Sequence, residues 1–451
     1  MKIKGLSRSA ARQALKDGEV TVAVYGLGKM GLPLALVLAE VGAKVVGVDI
    51  REDYVDELNR GVNPLREEPG VGDLLAKHLE TGRFRATTNG VEASKKSDVI
   101  IALVPTLVDE FGIPNLTPLY DVVEVAAKGL EEGDIFIVES TVPPGTSEKL
   151  GKRLEELSGL KMGEDFGVAH APERTSSGRV IRDITESYPK IVGASDPETL
   201  ESVVGFYEAV NKKGVIAVSS LAAAEAVKVF EGVYRDVNIA LANELALYAE
   251  VMNIDVWEVI KAANTQPYCH IHNPGAGVGG HCIPVYPYFL IHTAGLNGLD
   301  MRILKVARRV NEEMPLHVAW LVVKALNELS RPVKGSRVLV LGFAYRPRVK
   351  EHMNTPAIPI VRRLEELGAQ VYVYDPVYES EELKDMGFKP WAGEPVDVVV
   401  IVTEYDEFRD LILERREGLK AAKALVDTRN LVGREEAERA SYFFLKLGDG
   451  T

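Results

Sequence analysis

The chain has 451 residues, of which 46% are hydrophobic and 26% are charged. At about 150 residues per domain this length predicts two to three domains, each able to bury a core, which excludes a disordered chain and a small disulfide scaffold. The 53 Lys and Arg residues against 66 Asp and Glu residues give a net charge of −13. Nucleic acid is therefore not an expected partner, and an anionic ligand would need cations placed locally.

The N-terminal segment lacks the apolar run of a signal peptide, and no stretch of about 18 apolar residues occurs that would predict a membrane span. The only two cysteines, Cys269 and Cys282, do not suggest a disulfide framework and fit a reducing compartment. We therefore expect a cytoplasmic protein without a membrane partner.

Apolar strands alternate with helical segments in the first part of the chain. Strands are predicted at 21–25, 44–49, 98–104, 134–140 and 190–194, and helices at 30–41, 118–130 and 146–158. This alternation indicates a parallel, doubly wound sheet.

From 219 to 264 the sequence keeps helical spacing without a proline, which predicts one long helix and a shorter one. A loop rich in Gly, His and Pro follows at 265–287, and then a helix near 299–327. The remaining strands are predicted at 337–342, 370–375, 397–403 and 424–427. The fold class is thus α/β, with two doubly wound Rossmann-like domains joined by a long central helix. The predicted regions are 1–210, 211–328 and 329–451.

A glycine-rich turn follows the first strand. Gly26, Gly28 and Gly31 open a helix, and Asp49 ends the next strand. In a dinucleotide-binding turn the first glycine permits the bend, the second lets a pyrophosphate approach, and the third allows close helix packing. The acidic residue would bind the ribose hydroxyls and repel a 2′-phosphate, which favours NAD over NADP. The alternative is a tight structural turn without a ligand.

The second doubly wound half has Gly342-Phe343-Ala344-Tyr345-Arg346 after its first strand and lacks the glycine triplet. It could bind a different nucleotide, or it could serve only packing or dimerisation. Two other polar segments, 139–145 and 170–174, follow strands, where open sheets bind ligands, although each could be ordinary turn chemistry.

Four glycines precede Cys282 in the loop 274–284, which frees backbone N–H groups to approach an oxyanion. A thiol there could act as a nucleophile if Lys228 or His281 supplied a nearby cation, or it could be a small buried hydrophobic residue. A zinc site is a weaker alternative, because the clustered ligand types include directly adjacent pairs rather than the usual spaced pairs. Those clustered residues are Cys269, His270, His272, His281 and Cys282.

One face of the long helix carries Lys228, Gly232 and Arg235, with Glu231 and Asn238 at its margins. The face could be a solvated stripe. However, a glycine in a helix interior costs about 1 kcal/mol relative to alanine, which suggests that another group approaches the backbone at Gly232.

Several sequence blocks, in their order along the chain, resemble the UDP-glucose/GDP-mannose dehydrogenase family. The blocks are GLGKMGLP, ESTVPPGT, APER, AEAVKVFEGVYRDVNIALANEL, PGAGVGGHCIP, LGFAYRP, YDP and DTRNL, and they span about residues 20 to 435. Within the family, PER rather than PEF and GGHC rather than GGSC are similar to the branch that oxidises UDP-N-acetylhexosamines, especially UDP-N-acetyl-D-mannosamine.

The resemblance implies an N-terminal NAD-binding domain, a homodimer formed through the central helix, and a C-terminal domain that holds the nucleotide of a UDP-sugar. It implies two successive oxidations of the sugar C6, with a covalent thiohemiacetal and thioester on Cys282. In this chemistry Lys228 stabilises the alkoxide and oxyanion, Glu173 activates water and handles protons, and Thr141 lies near water and cofactor.

The site residues that the resemblance implies fall into three sets, with no metal. The catalytic set is Cys282, Lys228, Glu173 and Thr141. The cofactor-binding set is Gly26, Gly28, Lys29, Met30, Gly31, Asp49, Pro105, Thr106 and Thr141. The substrate-binding set is Arg174, Thr175, Lys228, Arg235, Gly279, Tyr345, Arg346 and Arg429.

Three positions depart from the family pattern. Gly232 stands where the family has an asparagine, Tyr286 where it has an aspartate, and Met353 where it has an arginine. These changes affect groups that hold water or reach the ligands, and His281, Tyr286 or a water beside Gly232 could substitute. The expected function is an NAD-dependent UDP-N-acetyl-D-mannosamine 6-dehydrogenase. The alternatives are UDP-glucose or UDP-N-acetylglucosamine as substrate, and a nucleotide-sugar binding protein with impaired turnover.

Overall fold

A computed structural model describes residues 1–416 and 418–450, which form two compact units. The first unit combines Met1–Glu231 with Tyr288–Gly298, and the second combines Gly232–Pro287 with the chain from Leu299 onward. The boundary falls inside the long helix, so the division into three regions stays a prediction.

The first unit is built on a sheet that contains all five predicted strands, together with strands at 84–87 and 215–217 that were not predicted. Its strands are β1 (Thr21–Tyr25), β2 (Lys44–Val48), β3 (Phe84–Thr87), β4 (Val99–Ala102), β5 (Leu107–Val108), β6 (Pro114–Asn115), β7 (Ile135–Val138), β8 (Gly167–His170), β9 (Lys190–Ala194) and β10 (Val215–Ala217). Its helices are α1 (Arg8–Lys16), α2 (Gly31–Val41), α3 (Glu52–Asn59), α4 (Val71–Glu80), α5 (Gly90–Lys95), α6 (Thr117–Ala126), α7 (Thr146–Ser158), α8 (Val180–Arg182) with a π-helical turn at Asp183–Ser187, and α9 (Pro197–Val210).

Eight of these strands form one sheet in the order β10-β9-β8-β7-β4-β1-β2-β3. The chain runs from β1 to β2 and β3 on one side of β1, and then to β4 on the other side of β1. The loops after β1 and β4 therefore border the crevice in which open parallel sheets bind ligands. Side chains alternate between two cores. In β4, Val99 and Ile101 pack on one side, and Ile100 and Ala102 pack on the other.

The sheet is parallel, as predicted, except at its far edge, where β9 runs antiparallel to β8, with Ala169 opposite Ala194. β10 then pairs parallel to β9. A parallel return normally needs a crossover of a dozen or more residues with a helix. The segment between β8 and β9 contains only α8 and the π-helical turn, so the chain stays at the carboxyl edge and comes straight back.

The first residues, which the sequence left without a role, form α1 and pack on α9. The contact depends on Gly205, because a Cβ there would lie 2.1 Å from the carbonyl oxygen of Arg8. Arg8 also pairs with Glu201 across the two helices at 3.2 Å. The N-terminal helix is therefore part of the core of this unit.

Long helices and a second sheet make up the rest of the chain. The helices are α10 (Leu221–Met252), α11 (Val256–Ala263), α12 (Tyr286–Leu296), α13 (Arg302–Glu328), α14 (Ala357–Glu366), α15 (Ser380–Asp385), α16 (Asp406–Leu413) with a 3₁₀ turn at Leu419–Ala421, and α17 (Arg434–Arg439). The strands are β11 (Arg337–Leu341), β12 (Gln370–Tyr374), β13 (Val398–Ile401), β14 (Ala424–Asp427) and β15 (Phe443–Lys446).

The second sheet is five-stranded, with the order β12-β11-β13-β14-β15 and parallel pairing throughout. Its loops after β11 and β13 border the corresponding crevice. The fold class predicted from the sequence, two doubly wound Rossmann-like sheets and a long central helix, is confirmed. Within the described residues, none of the helices has the length and apolar content that crossing a bilayer requires.

His170, at the end of β8, gives the first unit a pH-dependent stability. Its side chain is fully buried, and burial lowers the pKa of His170 to about 3. Below pH 6.5 the unfolded chain takes up a proton that the folded chain does not, so stability falls as the pH decreases toward 3. Between pH 7 and pH 5 this loss amounts to about 2 kcal/mol.

We expect His170→Gln to remove most of that loss, as measured by chemical denaturation at the two pH values. His270→Gln, which changes an exposed histidine, serves as the control and should keep the wild-type dependence. An unchanged pH dependence in His170→Gln would contradict the assignment.

Candidate active site

The turn after β1 is tight on one side and open on the other. Gly26 has φ +90°, and a Cβ there would lie 2.2 Å from the carbonyl oxygen of Leu103. A Cβ on Gly31 would lie 1.8 Å from the carbonyl oxygen of Gly26, so both positions require glycine. A Cβ on Gly28, in contrast, would point into open space. The turn therefore fits a dinucleotide, whose pyrophosphate can approach the backbone at Gly28 and the start of α2.

Asp49 lies at the end of β2, as predicted, and its carboxylate already has partners. The backbone N–H of Leu27 donates to it at 3.2 Å, and Arg51 donates from its backbone and its guanidinium at 3.1 to 3.3 Å. Burial opposes ionisation, but these hydrogen bonds hold the pKa of Asp49 below its usual value. Arg51 also lies 3.9 Å over the ring of Tyr54. The carboxylate is thus fixed and ionised beside the glycine turn.

The loops after β4 and β7 meet at the same edge of the sheet. The hydroxyl of Thr106 donates to the carbonyl of Thr141 at 2.6 Å, and Ser140 Oγ accepts from the backbone N–H of Val104 at 2.9 Å. Pro105 between them is exposed. The predicted cofactor contacts Pro105, Thr106 and Thr141 are therefore brought together next to Gly26. Lys29 and Met30 complete the glycine turn itself, and both are half-buried.

The segment after β8 borders the same region. Glu173 accepts a short hydrogen bond from the backbone N–H of Thr175, whose hydroxyl lies 3.0 Å from the sulfur of Met30. Arg174 Nε lies 3.1 Å from Glu231, and its guanidinium lies 4.9 Å over the ring of Tyr188. The predicted substrate contact Arg174 is thus already paired with protein groups.

Several of these residues line a small, partly open cavity. Its lining includes a trio in which the half-buried Lys190 and the buried Tyr207 both donate to the buried Glu139, at 2.7 and 2.5 Å. Met30 and Glu173 line it as well. The sequence offered no signal for the trio beyond the polar end of β7.

Lys228 lies on α10, where it is 3% exposed. One turn before it, the fully buried Glu225 accepts hydrogen bonds from the backbone N–H groups of Gly145 and Ser147, at 2.5 and 2.6 Å. Burial raises the pKa of Glu225 despite these bonds. Glu225 thereby caps α7 and attaches the segment 139–145 to the helix that carries Lys228. Glu225 was not among the residues predicted from the sequence.

In the second unit, the glycines before Cys282 leave room for Tyr345. A Cβ on Gly279 would lie 2.4 Å from the Cβ of Tyr345, and a Cβ on Gly280 would lie 3.0 Å from its ring. Burial, together with the charges of Glu351 and Cys282, raises the pKa of Tyr345 to about 12. The tyrosine after β11 therefore packs directly on the cysteine loop.

The cysteine loop is also held by the segment after β11. Gly280 N–H donates to the carbonyl of Met353 at 2.7 Å, and Asn354 donates back to the carbonyl of Gly280 at 3.0 Å. The imidazole of His281 pairs with Glu351. Where the family pattern has an arginine, Met353 thus contributes its backbone. Glu351, which the sequence analysis missed, engages the histidine beside Cys282.

Cys282 is a half-buried free thiol. The hydroxyl of Tyr286 donates to its sulfur at 3.2 Å. The ring of Tyr286 covers Gly232, where a Cβ would lie 2.7 Å from ring carbon Cδ2. The prediction that another group approaches the helix at Gly232 is confirmed by this contact.

Three arginines predicted to bind substrate belong to the second unit. The charges of Arg235 and Arg346 both act on Tyr345. Arg429 packs on Gly275, where a Cβ would lie 2.8 Å from Nη1, and its Nε donates to the carbonyl of Val402 at 2.8 Å. Burial lowers the pKa of Arg429, an effect that an anionic ligand would offset.

The predicted residues therefore form one group in each unit. Gly26 through Gly31, Asp49, Pro105, Thr106, Thr141 and the segment Glu173 to Thr175 gather at the carboxyl edge of the first sheet, and Arg235, Gly279, Cys282, Tyr345, Arg346 and Arg429 belong to the second unit. The zinc alternative needs at least three ligand side chains around one ion, and no such group occurs in residues 1–416 and 418–450.

Comparison with known proteins matches three consecutive parts of the chain to one family. The UDP-glucose/GDP-mannose dehydrogenase NAD binding domain matches residues 20–211, the central domain 222–313, and the UDP binding domain 339–434. The chain belongs to the UDP-glucose/GDP-mannose dehydrogenase family. The resemblance drawn from the sequence blocks is thereby confirmed.

Individual relatives align over nearly the whole chain. The UDP-N-acetyl-D-mannosamine dehydrogenase of Pyrococcus horikoshii is 36% identical over 95% of this chain and 99% of its own. The UDP-N-acetyl-D-glucosamine 6-dehydrogenase of Pseudomonas aeruginosa is 37% identical over 93% and 99%. A solved structure of UDP-D-ManNAc dehydrogenase from Pyrococcus horikoshii has a TM-score of 0.87, with 35% identity and coverage of 95% and 99%.

The chain is accordingly an oxidoreductase of this family with NAD as its cofactor. The open backbone at Gly28 and the fixed carboxylate of Asp49 are the features of this chain that suit NAD. When bound, NAD supplies the acceptor for a hydride removed from the substrate.

Two glycines of the NAD turn offer a matched test. Gly28→Ala adds a methyl group that meets no protein atom within 4 Å, so it should leave the thermal midpoint unchanged and weaken NAD binding by about tenfold or more. Gly31→Ala places the methyl group against backbone and should lower the thermal midpoint. Calorimetric titration and thermal unfolding measure the two effects. Wild-type NAD affinity in Gly28→Ala would show that the pyrophosphate does not approach there.

Proposed function

We propose that this protein oxidises the C6 hydroxyl of UDP-N-acetyl-D-mannosamine to a carboxylate in two steps, through a covalent intermediate on Cys282. The observation that carries the proposal is the setting of Cys282. The thiol is half-buried in a glycine-rich loop, Tyr345 packs on that loop, and a hydroxyl donates to the sulfur. A reactive cysteine needs an accessible sulfur with polar partners, whereas a structural cysteine lies among apolar side chains.

In the first step the C6 alcohol loses a proton and a hydride and becomes an aldehyde. The Cys282 thiolate then adds to the aldehyde carbon, and the thiohemiacetal loses a proton and a second hydride to become a thioester. Bound NAD would accept each hydride. Water cleaves the C–S bond and gives the carboxylate and the thiolate. Covalent capture retains the aldehyde and presents a carbon with a transferable hydride.

The protein groups in this scheme act through charge and proton transfer. Lys228 stabilises the alkoxide and oxyanion, since a fixed cation in a desolvated setting is effective at this task. Glu173, held by the backbone of Thr175, handles protons and activates water, and Thr141 borders the cofactor. Arg235, Arg346 and Arg429 supply the positive charge that a diphosphate needs in a chain of net charge −13.

The choice of sugar rests on similarity to relatives. The PER and GGHC blocks and the mannosamine dehydrogenase of Pyrococcus horikoshii favour UDP-N-acetyl-D-mannosamine. The glucosamine enzyme of Pseudomonas aeruginosa is equally similar, so UDP-N-acetyl-D-glucosamine is the second candidate. The presence of only two cysteines, both free, supports a cytoplasmic location.

The test is the yield of NADH per sugar across a panel of UDP- and GDP-sugars, read by absorbance. We expect about two NADH per UDP-N-acetyl-D-mannosamine. A yield of about one would indicate a stalled intermediate, and none with any sugar would indicate a binding protein. Cys282→Ala should abolish the yield of two, and an unaffected yield in that variant would rule out the covalent mechanism.

We also propose that the protein forms a homodimer through α10. Tyr234, Leu241 and Tyr248 recur at intervals of seven residues on this helix, and all three are about half exposed, at 53, 48 and 57%. A stripe of this kind suits helix pairing, because a second copy would remove the apolar surface from water.

We expect Leu241→Glu to shift the protein from dimer to monomer in light-scattering measurements, because two buried glutamates would face each other. Leu157→Glu changes an exposed apolar residue on α7 and is the matched control, which should remain dimeric. A Leu241→Glu variant that is still dimeric would place the interface elsewhere.

A further inference from the structure

Tyr286 and Cys282 form a side-chain pair fixed by local structure. Tyr286 begins α12, and its backbone N–H donates to the carbonyl of Cys282 at 3.0 Å. Residues four apart in such a turn carry their side chains on the same side. The tyrosine hydroxyl accordingly reaches the cysteine sulfur at 3.2 Å, and the tyrosine is only 6% exposed.

Gly232 provides the space that this arrangement needs. A Cβ at position 232 would lie 2.7 Å from Cδ2 of the Tyr286 ring and 3.4 Å from its Cβ. Because Tyr286 is buried, its ring has little room to move away. Both residues are departures from the family pattern, and the structure joins them in one contact.

We propose that Tyr286 is a catalytic residue that stabilises negative charge on Cys282 Sγ, and that Gly232 is the positioning residue that lets it do so. The proposal rests on the covalent mechanism proposed above. It assigns the two departures a joint role, in place of the loss of turnover that each alone would suggest.

The sulfur carries negative charge at two stages of the reaction. Before capture it is a thiolate, and its electron pair forms the C–S bond as the carbonyl π electrons move to oxygen. After water adds to the thioester, the C–S bond breaks and the electron pair returns to sulfur. A hydrogen bond from Tyr286 stabilises the sulfur at both stages.

A tyrosine hydroxyl suits this task for two reasons. It is a hydrogen-bond donor without a charge of its own, so it adds no repulsion beside an anionic sulfur. A hydrogen bond to an ionised group is also about twice as strong as one between neutral groups. The same hydroxyl contributes little to the neutral sulfur of the thiohemiacetal and the thioester.

The first test is Tyr286→Phe, which keeps the ring over Gly232 and removes the hydroxyl. We expect kcat to fall about tenfold, with KM for the UDP-sugar within about twofold, because a hydrogen bond to an anion is lost. Alkylation of Cys282 by iodoacetamide at fixed neutral pH should slow by a similar factor. The alkylation rate would not change if the tyrosine had only a structural role.

Tyr442→Phe is the matched control, since it also removes a buried tyrosine hydroxyl, one bonded to the carbonyl of Ile412 at 3.2 Å. That variant should keep the wild-type kcat and alkylation rate. Wild-type kcat and alkylation in Tyr286→Phe would overturn the proposal.

The second test is a double-mutant cycle with Gly232→Ala. The added methyl group should displace the Tyr286 ring and lower kcat about as much as Tyr286→Phe does, with no loss of helix propensity. The double variant should then be no slower than either single variant, because both act through one hydrogen bond. Independent effects that multiply would overturn the joint role, as would a Gly232→Ala variant with wild-type kcat.

The Cys282→Ala variant distinguishes the two levels of the proposal. If it still yields two NADH per sugar, the covalent mechanism itself is wrong. If it blocks the second NADH while Tyr286→Phe behaves as wild type, the covalent mechanism stands and only the role of Tyr286 is wrong.

Discussion

Buried carboxylates that accept hydrogen bonds from loop backbones hold the predicted site segments in place. Asp375 accepts from the backbone N–H groups of Phe343 and Ala344, at 2.7 and 2.8 Å, and so fixes the turn that ends in Tyr345. Asp427 accepts from Arg429, Leu431 and Val432 at 2.7 to 2.8 Å and fixes the loop that presents an arginine. Asp49 and Glu225 act similarly on the first unit. In parallel sheets the functional residues lie on irregular loops, and these buried carboxylates make the loops rigid.

Burying these carboxylates costs free energy, which their hydrogen bonds must offset. Burial raises the pKa of both Glu225 and Asp427, which shows that their charged forms are only partly compensated. A buried carboxylate bonded to several backbone N–H groups has little freedom to move. It therefore fixes the geometry of the loop more than it stabilises the fold. The glycines have the same effect by a different means. At Gly26, Gly31 and Gly279 a methyl group would lie 2.4 Å or less from neighbouring atoms. The close packing at these glycines therefore restricts the backbone conformation of each loop.

Much of this arrangement could be predicted from the sequence. Strands buried on both faces are recognised from apolar runs, and the glycine turn with Asp49 is a local pattern. Both sheets and the NAD-binding turn of the first sheet could therefore be predicted. The reversal of β9 was not predicted, because strand direction depends on whether the connection crosses over, and apolar content does not report that. Nor were Glu225, Glu351 and the Glu139 trio, since their partners are tens of residues away and depend on packing. Strand β15 and helix α1 were also not predicted, and both are short, at four and nine residues.

Gly232 and Tyr286 illustrate the limit most clearly. Taken one at a time, each departure removes a polar side chain from a position that normally supports the reaction, so the sequence left a binding protein with impaired turnover open as an alternative. The two positions are 54 residues apart in the chain, so nothing local connects them. In the structure the absence of a side chain at one position is what admits the ring at the other, and the hydroxyl of that ring reaches the sulfur. The proposed role of Tyr286 therefore depends on both changes together, because a side chain at position 232 would occupy the space of the tyrosine ring.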